Sequence, residues 1–219
     1  MYTSASERRC IIEGAQREAN LGLVLVDQDG VVADFERALF GAFRAEHGSA
    51  RSIDLADRRT FYAREQYAKQ FGSEWGRAVR AITSSEGFYR NLPVIPGAPR
   101  ALREMLEVGH DVFLCTSPLT GSPWCVPEKL AWVEEHLGKD HLGKPWLDRV
   151  IIVKDKTLVG DRLRRCILVD DRPAITGMVN PPPWKHVLFD APYNRGQPGP
   201  RLSSWADWRA MLTPHLQGD

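Results

Sequence analysis

The 219-residue sequence has little cysteine, and no two cysteines have the C-x-x-C spacing of many metal and redox sites. Its four cysteines are Cys10, Cys115, Cys125 and Cys166. Cys115 and Cys166 sit in apolar, strand-like runs, a setting typical of free buried thiols in a reducing compartment. We therefore expect a cytoplasmic protein.

The sequence also lacks long apolar runs and an excess of either charge. No run approaches the roughly 18–20 apolar residues that span a bilayer, and the N-terminus has no hydrophobic stretch of the signal-peptide type. The 29 basic and 28 acidic residues give a formal charge of +1, which argues against a surface that coats nucleic acid or binds an anionic membrane. We expect neither a nucleic-acid polymer nor a membrane as a partner.

Short apolar runs alternate with helical patterns along a chain whose length suits one α/β domain with an inserted subdomain. Strand-like runs cover residues 23–26, 111–115, 149–153, 166–169 and 186–189. Helical spacing covers residues 35–47, 55–70, 74–85, 99–108, 128–137 and 203–212. This alternation predicts a parallel sheet with right-handed crossovers.

About sixty mostly helical residues separate the first strand from the second, which is too long for one crossover helix. We interpret residues 35–95 as a small helical cap inserted into the α/β core. Residues 21–34 and 96–219 form that core, and residues 1–20 are a polar lead-in to which we assign no function. The sequence contains no internal repeat or low-complexity tract.

The first strand, residues 23–26, is an unbroken apolar run that predicts burial on both faces of the sheet. Asp27 and Asp29 follow it, and the two-residue period of extended chain places both side chains together where open α/β sheets bind ligands. Gln28 should point to the other side, and Gly30 lets the chain turn away. Two carboxylates so close repel each other unless a cation or a shared proton lies between them. A polar strand end with a simple turn explains the same residues, so the motif alone leaves both interpretations open.

Polar side chains also follow three later strands: Thr116 and Ser117, then Lys154 and Lys156, then Asp170 and Asp171. Each pair by itself fits a polar strand exit or a solvated turn. Because parallel strands end along one edge of a sheet, four such coincidences favour a single site. Carboxylates can hold Mg²⁺, and hydroxyls and an ammonium group can hold phosphate oxygens, so the set predicts a phosphoryl-transfer site.

The order of these groups resembles the four motifs of the haloacid dehalogenase superfamily of phosphatases. Longer segments are similar to the 5'(3')-deoxyribonucleotidase family, from about residue 21 to the final helix. They are LVDQDGVVADF (25–35), EQY (65–67), CTSP (115–118), EKLAWVE (128–134), DKT (155–157), LVDDRP (168–173) and SWAD (204–207). The resemblance implies a Rossmann-like α/β core that carries the helical cap.

The resemblance also implies a Mg²⁺-dependent hydrolase of deoxyribonucleoside monophosphates such as dUMP and dTMP. Asp27 would attack the phosphorus atom and form an aspartyl-phosphate. Asp29 would protonate the leaving nucleoside oxygen and then activate the hydrolytic water.

The same resemblance implies the ligands of the metal ion and of the phosphate. Mg²⁺ would be held by Asp27, by the backbone carbonyl of Asp29 and by the pair Asp170 and Asp171, with Asp171 preferred as the direct ligand. The phosphoryl oxygens would be bound by Thr116, Ser117 and Lys156.

Substrate choice would come from the cap, through an aromatic wall against the base and a tight apolar site for the sugar. The corresponding positions are Phe35, Phe61, Tyr62, Ala63, Phe88 or Tyr89, Leu119 and Lys154. Helical period alone also fits Phe35 and Phe61 as core residues. Tyr62 stands where a Trp is familiar in the family and Lys154 where an Arg is familiar, which leaves the base and sugar preference open.

Three other functions fit part of this pattern, of which a Mg²⁺-binding structural protein would need the pairing of motifs to be accidental. A phosphatase of the same superfamily acting on a ribonucleotide or a sugar phosphate would share the motifs. A phospho-accepting receiver domain also combines acidic residues, Thr or Ser, Lys and Mg²⁺, but its acceptor aspartate ends a middle strand and it has no large cap. The sequence leaves open whether the chain is a monomer or a homodimer, and whether a 5' or a 3' phosphate is preferred.

Overall fold

The computed structural model describes residues 22–216, so the predicted lead-in over residues 1–20 lies outside the described part. The strands are β1 (Leu23–Val26), β2 (Asp111–Thr116), β3 (Val150–Ile152), β4 (Cys166–Asp170), β5 (Lys185–Phe189) and β6 (Arg201–Leu202). The α-helices are α1 (Phe35–His47), α2 (Ala63–Phe71), α3 (Ser73–Ser84), α4 (Ala98–Glu107), α5 (Cys125–His136) and α6 (Trp208–Leu216).

The strands form one sheet in the order β3-β2-β1-β4-β5-β6, and every neighbouring pair is parallel. β1 lies between β2 and β4, with Val26 beside Leu114 and Val169. The carboxyl ends of all six strands therefore lie along one edge of the sheet. The prediction of a Rossmann-like α/β fold with a parallel sheet is confirmed.

Both faces of the sheet are covered by apolar side chains, which explains the unbroken apolar run of β1. Val24 and Val26 face the larger core cluster, whereas Leu25 packs on the opposite face with Cys115 and Cys166. These two cysteines are buried free thiols, as the sequence predicted. Among residues 22–216 no helix combines the length and the apolar character needed to cross a membrane.

Helices α1, α2 and α3 lie between β1 and β2 in the chain, inside the range 35–95 predicted for the cap. α1 begins after Asp34, whose carboxylate accepts the N–H of Arg37 at 3.0 Å and caps the first turn. Leu39 and Phe43 bury one face of this helix. The boundaries of the cap as a separate subdomain stay a prediction.

The predicted helix over residues 55–70 is wrong in its first half. A 3₁₀ turn covers Leu55–Asp57, and α2 begins only at Ala63. Between them, the side-chain oxygen of Gln66 accepts the N–H of Arg59 at 2.8 Å and the guanidinium of Arg58 at 2.5 Å. Because a side chain satisfies these donors, the connection stays extended instead of coiling.

Other boundaries differ near helix ends and at the sheet edge. The two-residue strand β6 was not predicted, and the helix predicted over residues 203–212 divides into a 3₁₀ turn at Trp205–Asp207 and α6. The predicted serine cap is present, since the Ser204 hydroxyl accepts the N–H of Ala206 at 3.2 Å. α5 begins at residue 125 instead of 128, with Pro127 in its first turn, where no N–H is needed.

Candidate active site

A cavity of about 680 Å³ opens at the carboxyl edge of the sheet, between the strand ends and the helices of residues 35–95. Nearly all of the predicted site residues line it. They are Asp27, Asp29, Phe35, Phe61, Tyr62, Ala63, Tyr89, Thr116, Ser117, Leu119, Lys154, Lys156, Asp170 and Asp171. The four strand-end groups predicted from the sequence are thus brought to one place.

Asp27 lies directly after β1, and its backbone N–H still donates to Val169 of β4 at 2.9 Å. Its carboxylate is largely buried and faces the cavity. The Oδ1 atom accepts the N–H of Gln28 at 2.7 Å and lies 2.9 Å from the Nζ atom of Lys156. The end of β1 therefore fixes this carboxylate through both its backbone and its side chain.

Lys156 is buried and joins two of the carboxylates. Its Nζ atom lies 2.9 Å from Asp27 and 2.6 Å from Asp170. Burial alone would lower the pKa of Lys156, but the charges of Asp170 and Asp27 outweigh it and raise this pKa above its ordinary value. Lys156 begins a 3₁₀ turn capped by Asp155, whose carboxylate accepts the N–H of Thr157 at 2.9 Å. The ammonium group is therefore a fixed positive charge at the floor of the cavity.

Asp27, Asp170 and Asp171 are buried, and each offers a carboxylate oxygen within 4.8 Å of the others. Burial, followed by the charges of Asp170 and Asp27, raises the pKa of Asp171 well above its ordinary value. Its Oδ1 atom is buried and has no hydrogen-bond partner among the described residues. An all-oxygen cluster with an unpartnered oxygen suits a hard cation such as Mg²⁺.

The hydroxyl of Tyr193 donates a hydrogen bond to the other oxygen of Asp171, Oδ2. Burial raises the pKa of Tyr193 well above its ordinary value, so the phenol keeps the proton that it donates. Gly30 approaches the same oxygen: it has a φ of 74°, and an added Cβ would lie 2.1 Å from Oδ2 of Asp171. A residue with a side chain would therefore displace this carboxylate, in addition to the backbone strain at positive φ.

Lys129, in α5, is a buried lysine whose place in the site we did not predict. Its Nζ atom lies 2.7 Å from Oδ2 of Asp29 and donates to Oγ1 of Thr116 at 2.8 Å. It also lies 5.3 Å from the centre of the Tyr89 ring. Its position in the helix was the one available signal. Lys129 lies four residues after Cys125, on the same buried face, and this spacing predicts a side chain directed into the protein.

Asp29 keeps 24% of its side-chain surface exposed. Its Oδ1 atom is buried without a partner among the described residues. Burial raises the pKa of Asp29, while the charge of Lys129 opposes the shift. A carboxyl group in this setting holds its proton to a higher pH than an exposed one, as a general acid requires.

Gln28 points away from the cavity, as predicted, and the structure gives it a positioning role. Its side chain is fully buried, and its Nε2 atom donates to the backbone carbonyl of Lys129 at 3.2 Å. The backbone carbonyl of Gln28 accepts the N–H groups of Val32 and Ala33 at 3.0 and 2.9 Å. Gln28 thus ties the loop after β1 to α5 at the residue that contacts Asp29.

The aromatic wall contains most of the predicted rings. Phe35 and Tyr89 line the cavity with their ring centres 6.3 Å apart. Phe88 packs edge-on behind Phe35 at 5.4 Å and is not among the lining residues. Of the two neighbouring rings offered as alternatives, the structure therefore brings Tyr89 to the cavity, while Phe88 contacts Phe35 and Tyr89 without lining it.

Arg172 lines the cavity, contacts two residues of the range predicted for the cap and was not predicted as a site residue. Its guanidinium lies 5.5 Å from the Phe61 ring and 5.8 Å from the Tyr62 ring, and it donates to the Tyr62 hydroxyl at 3.0 Å. Further lining residues that we did not predict include Arg64, Arg80, Pro118, Thr120, Ile175, Thr176 and Tyr193. Most of them lie on loops, which have no periodic pattern of apolar residues from which their positions could be predicted.

Comparison with known proteins places this geometry in a family. Residues 21–217 match the model of the family described as "5' nucleotidase, deoxy (Pyrimidine), cytosolic type C protein". The chain is 42% identical over 195 residues to the human mitochondrial 5'(3')-deoxyribonucleotidase, covering 86% of this chain and 81% of the relative. It is 41% identical over 196 residues to the human cytosolic-type enzyme, covering 86% and 92%.

A bacterial relative agrees with this assignment, and a solved structure shares the fold. A Bordetella pertussis protein with a provisional 5'(3')-deoxyribonucleotidase name is 45% identical over 196 residues, covering 89% of this chain and 97% of the relative. The structure of a HAD family hydrolase from Deinococcus radiodurans, with bound phosphate and sodium, has a TM-score of 0.55 at 16% identity and covers 91% and 98% of the two chains. It shows the likeness of fold.

These matches cover the cap range and the core together, which a receiver domain would not do. The predicted resemblance and the predicted phosphoric monoester hydrolase activity are confirmed. The chain belongs to the 5'(3')-deoxyribonucleotidases, phosphoric monoester hydrolases of the haloacid dehalogenase superfamily.

Proposed function

We propose that the protein is a Mg²⁺-dependent 5'(3')-deoxyribonucleotidase that converts dUMP, dTMP and similar deoxyribonucleoside monophosphates to nucleoside and phosphate. One observation carries the proposal: a carboxylate cluster, two hydroxyls and a buried ammonium group share one cavity with an aromatic wall. A volume of about 680 Å³ lies within the range of small-molecule sites.

Asp27, Asp170 and Asp171 would hold the metal ion. Both oxygens of Asp170 are already engaged, one by Lys156 at 2.6 Å and the other by the N–H of Arg172 at 2.8 Å. Asp171 keeps Oδ1 unpartnered within the described range, which supports it as the direct ligand. A bound Mg²⁺ would offset the negative charge of the phosphoryl group during transfer.

Asp27 is the proposed nucleophile. An oxygen of its carboxylate attacks the phosphorus atom, the bond from phosphorus to the nucleoside oxygen breaks, and an aspartyl-phosphate remains. Its fixed position at the end of β1, 2.9 Å from Lys156, supports this role because attack requires a held carboxylate beside a cationic phosphate site. Thr116, Ser117 and Lys156 would bind the oxygens that do not react.

Asp29 is the proposed general acid and base. It gives a proton to the leaving nucleoside oxygen, and it then takes a proton from the water that attacks the aspartyl-phosphate, which restores Asp27 and releases phosphate. The unpartnered Oδ1 atom supports this assignment, because the opposite oxygen is the one held by Lys129. Asp29 can therefore exchange a proton without losing its anchor.

The nucleoside would lie between the aromatic rings and the strand ends. Phe35, Phe61, Tyr62 and Tyr89 offer ring faces and edges to the base, while the small side chain of Ala63 and that of Leu119 would border the sugar. Lys154, exposed at the rim, would meet polar groups of the base. Stacking tolerates many bases, so we expect a broad base preference with discrimination at the sugar.

A panel of phosphomonoesters tests the proposal. With Mg²⁺ present, we expect kcat/KM for dUMP and dTMP to exceed that for UMP by at least about tenfold, since a tight sugar site that excludes one hydroxyl gives roughly this discrimination. Ribose 5-phosphate should be poorer still, because it lacks the base. Equal values for dUMP and UMP, or a preference for the sugar phosphate, would instead identify a phosphatase of the same superfamily with another substrate.

We also propose that the protein acts in the cytoplasm on free nucleotides. One relative bears a cytosolic-type name, and the three cysteines of the described range are buried as free thiols. Fractionation of cells that express the full chain at native level tests this location, and recovery in a membrane or secreted fraction would contradict it.

A further inference from the structure

Tyr193 lines the cavity but belongs to neither the strand-end groups nor the cap. It lies in the 3₁₀ turn Pro192–Asn194 that follows β5. Its hydroxyl donates to Oδ2 of Asp171, and the other oxygen of that carboxylate has no partner among residues 22–216. The phenol thus engages one oxygen of the carboxylate and leaves the other without a partner in the described range.

The turn that carries Tyr193 is fixed independently of this hydrogen bond. The Asn194 side chain donates to the backbone carbonyls of Asp171 and Phe189 at 2.7 Å each. Its oxygen accepts the N–H of Ala191 at 3.1 Å and the guanidinium of Arg201 at 2.5 Å. Because these bonds tie the turn to both β4 and β5, the phenol has a defined position from which to orient the carboxylate.

The ring of Tyr193 contacts the cap. Phe61, a member of the proposed base wall, meets it edge-on with ring centres 5.9 Å apart. The buried guanidinium of Arg58 lies 5.6 Å from the centre of the Tyr193 ring and is paired with Glu36 of α1 at 2.6 Å. One side chain therefore touches the wall for the base at its ring and a metal-facing carboxylate at its hydroxyl.

We propose that Tyr193 couples the nucleoside site to the metal site. Its hydroxyl holds Asp171 in the orientation that binds Mg²⁺, and a nucleoside packed on Phe61 restrains the Tyr193 ring and with it this orientation. Nucleoside and Mg²⁺ then strengthen each other's binding, because coupling between two sites is reciprocal. This inference rests on the proposed function for the identity of both ligands, and Tyr193 is a positioning residue in it.

Calorimetric titration with Mg²⁺, without substrate, tests the first step. Removal of a group that orients a metal ligand costs about 10–100-fold in metal affinity, so Tyr193→Phe should bind Mg²⁺ at least about tenfold more weakly than the native chain. Tyr67→Phe is the matched control, because it removes a buried cap phenol that accepts the N–H of Ile53 at 3.1 Å, away from Asp171. Equal Mg²⁺ affinity in the native chain and in Tyr193→Phe would overturn the proposal.

Repeating the titration with saturating thymidine tests the coupling. We expect thymidine to raise the Mg²⁺ affinity of the native chain by about fivefold or more, and to change it less than twofold in Tyr193→Phe. Phe61→Leu serves as a second variant: it keeps the bond to Asp171, so Mg²⁺ affinity without thymidine should stay native while the thymidine effect is lost. The same thymidine effect in all three proteins, or none in the native chain, would overturn the coupling. A native chain that binds no Mg²⁺ at all would instead remove the proposed metal site, and the coupling with it.

Discussion

Two buried lysines give the two aspartates after β1 different surroundings. Lys156 holds Asp27 toward the acidic cluster, at 2.9 Å, whereas Lys129 holds Asp29 toward β2, at 2.7 Å. Side chains two residues apart in extended chain point to the same side, so without separate anchors both carboxylates would compete for one cation. Two separate ammonium groups allow the two carboxylates the separate roles proposed for them, Asp27 as nucleophile and Asp29 as general acid and base.

Replacing Asp27, the proposed nucleophile, tests the first of these roles. Asp27→Asn keeps the shape of the side chain but substitutes a weakly nucleophilic amide, so phosphate release from dTMP with Mg²⁺ should fall by about 10³-fold or more. A phosphate-release assay measures it. Asp54→Asn, at an exposed position outside the cavity, should keep the native rate. Turnover retained in Asp27→Asn would refute the assignment.

The anchor of Asp29 can be tested through the split between kcat and KM. Lys129→Met keeps a long apolar stem but removes the charge that holds Oδ2 of Asp29. Because general acid–base groups contribute about 10²–10⁴-fold, we expect kcat for dTMP to fall by about 10²-fold while KM changes less than about threefold. Lys69→Met, exposed on α2, is the control, and thermal unfolding confirms that both variants fold. A raised KM with native kcat would show that Lys129 binds substrate instead.

Residues at strand ends, Lys156 among them, could be predicted from the sequence, whereas Lys129 and Tyr193 could not. Asp27 and Asp171 follow apolar runs whose length marks where a buried strand stops, and a parallel sheet brings such positions to one edge. Lys129 lies within a helix and Tyr193 in a turn after β5, so their meeting with carboxylates depends on how those elements pack. The periodic pattern of apolar residues along the chain does not determine that packing.

Helix α5 connects the range predicted for the cap, residues 35–95, to the carboxyl edge of the sheet. The carboxylate of Glu128 accepts the backbone N–H groups of Tyr89 and Arg90 at 3.0 and 3.3 Å. The ammonium group of the next residue, Lys129, contacts the carboxylate of Asp29. Two adjacent residues of one helix therefore set both the ring of Tyr89 and the carboxyl of Asp29, so a rotation of α5 would move both walls of the site together.

His110 joins the starts of β1 and β2, and it should make stability depend on pH. Its Nδ1 atom accepts the N–H of Gly22 at 3.3 Å, and burial lowers the pKa of His110 below its ordinary 6.5, opposed by the charge of Asp111. Below about pH 6.5 the imidazole of residue 110 becomes protonated in the unfolded chain, whereas it stays neutral in the folded protein until a lower pH is reached. Its contribution to stability is therefore present above that pH and lost as pH falls toward the lowered value.

Urea unfolding across about pH 7 to 5 measures this contribution. In His110→Asn, whose amide oxygen can accept the same N–H but does not titrate, the free energy of unfolding should fall less steeply with decreasing pH than in the native chain. His141→Asn, at an exposed position, should keep the native slope. Identical slopes in the native chain and His110→Asn would contradict the expectation.

At the level of elements, strands were predicted more accurately than helix starts. Burial on both faces leaves β1 no polar residue, so its four residues stand out. The helix expected from residue 55 does not form there because Gln66 satisfies the N–H of Arg59 from a distance of seven residues. Such a side-chain bond overrides helical spacing and is invisible in a periodic pattern.

The molecule as a whole is nearly neutral, but negative charge is concentrated in its buried carboxylate cluster. The formal charge is +1, yet three buried carboxylates, Asp27, Asp170 and Asp171, gather within 4.8 Å. Lys156 contacts two of them, and none of the described cations is paired with Asp171. Buried like charges cost free energy unless they are compensated, so the fold keeps a site at which a bound cation should stabilise the entire domain.

This cost predicts that Mg²⁺ stabilises the folded chain even without substrate. At about 100 times its dissociation constant, a ligand that binds only the folded state adds about 2.7 kcal/mol, which for a domain of this size raises Tm by about 5–10 °C. Calorimetric scans in Mg²⁺ and in EDTA at matched ionic strength measure the shift. Na⁺ at the same ionic strength should not reproduce it, because screening alone does little for buried carboxylates.

Asp171→Asn should start from a native or higher Tm in EDTA, since one of the repelling groups is gone, and should gain little from Mg²⁺. A Mg²⁺ shift as large in Asp171→Asn as in the native chain would place the cation elsewhere and refute Asp171 as its ligand.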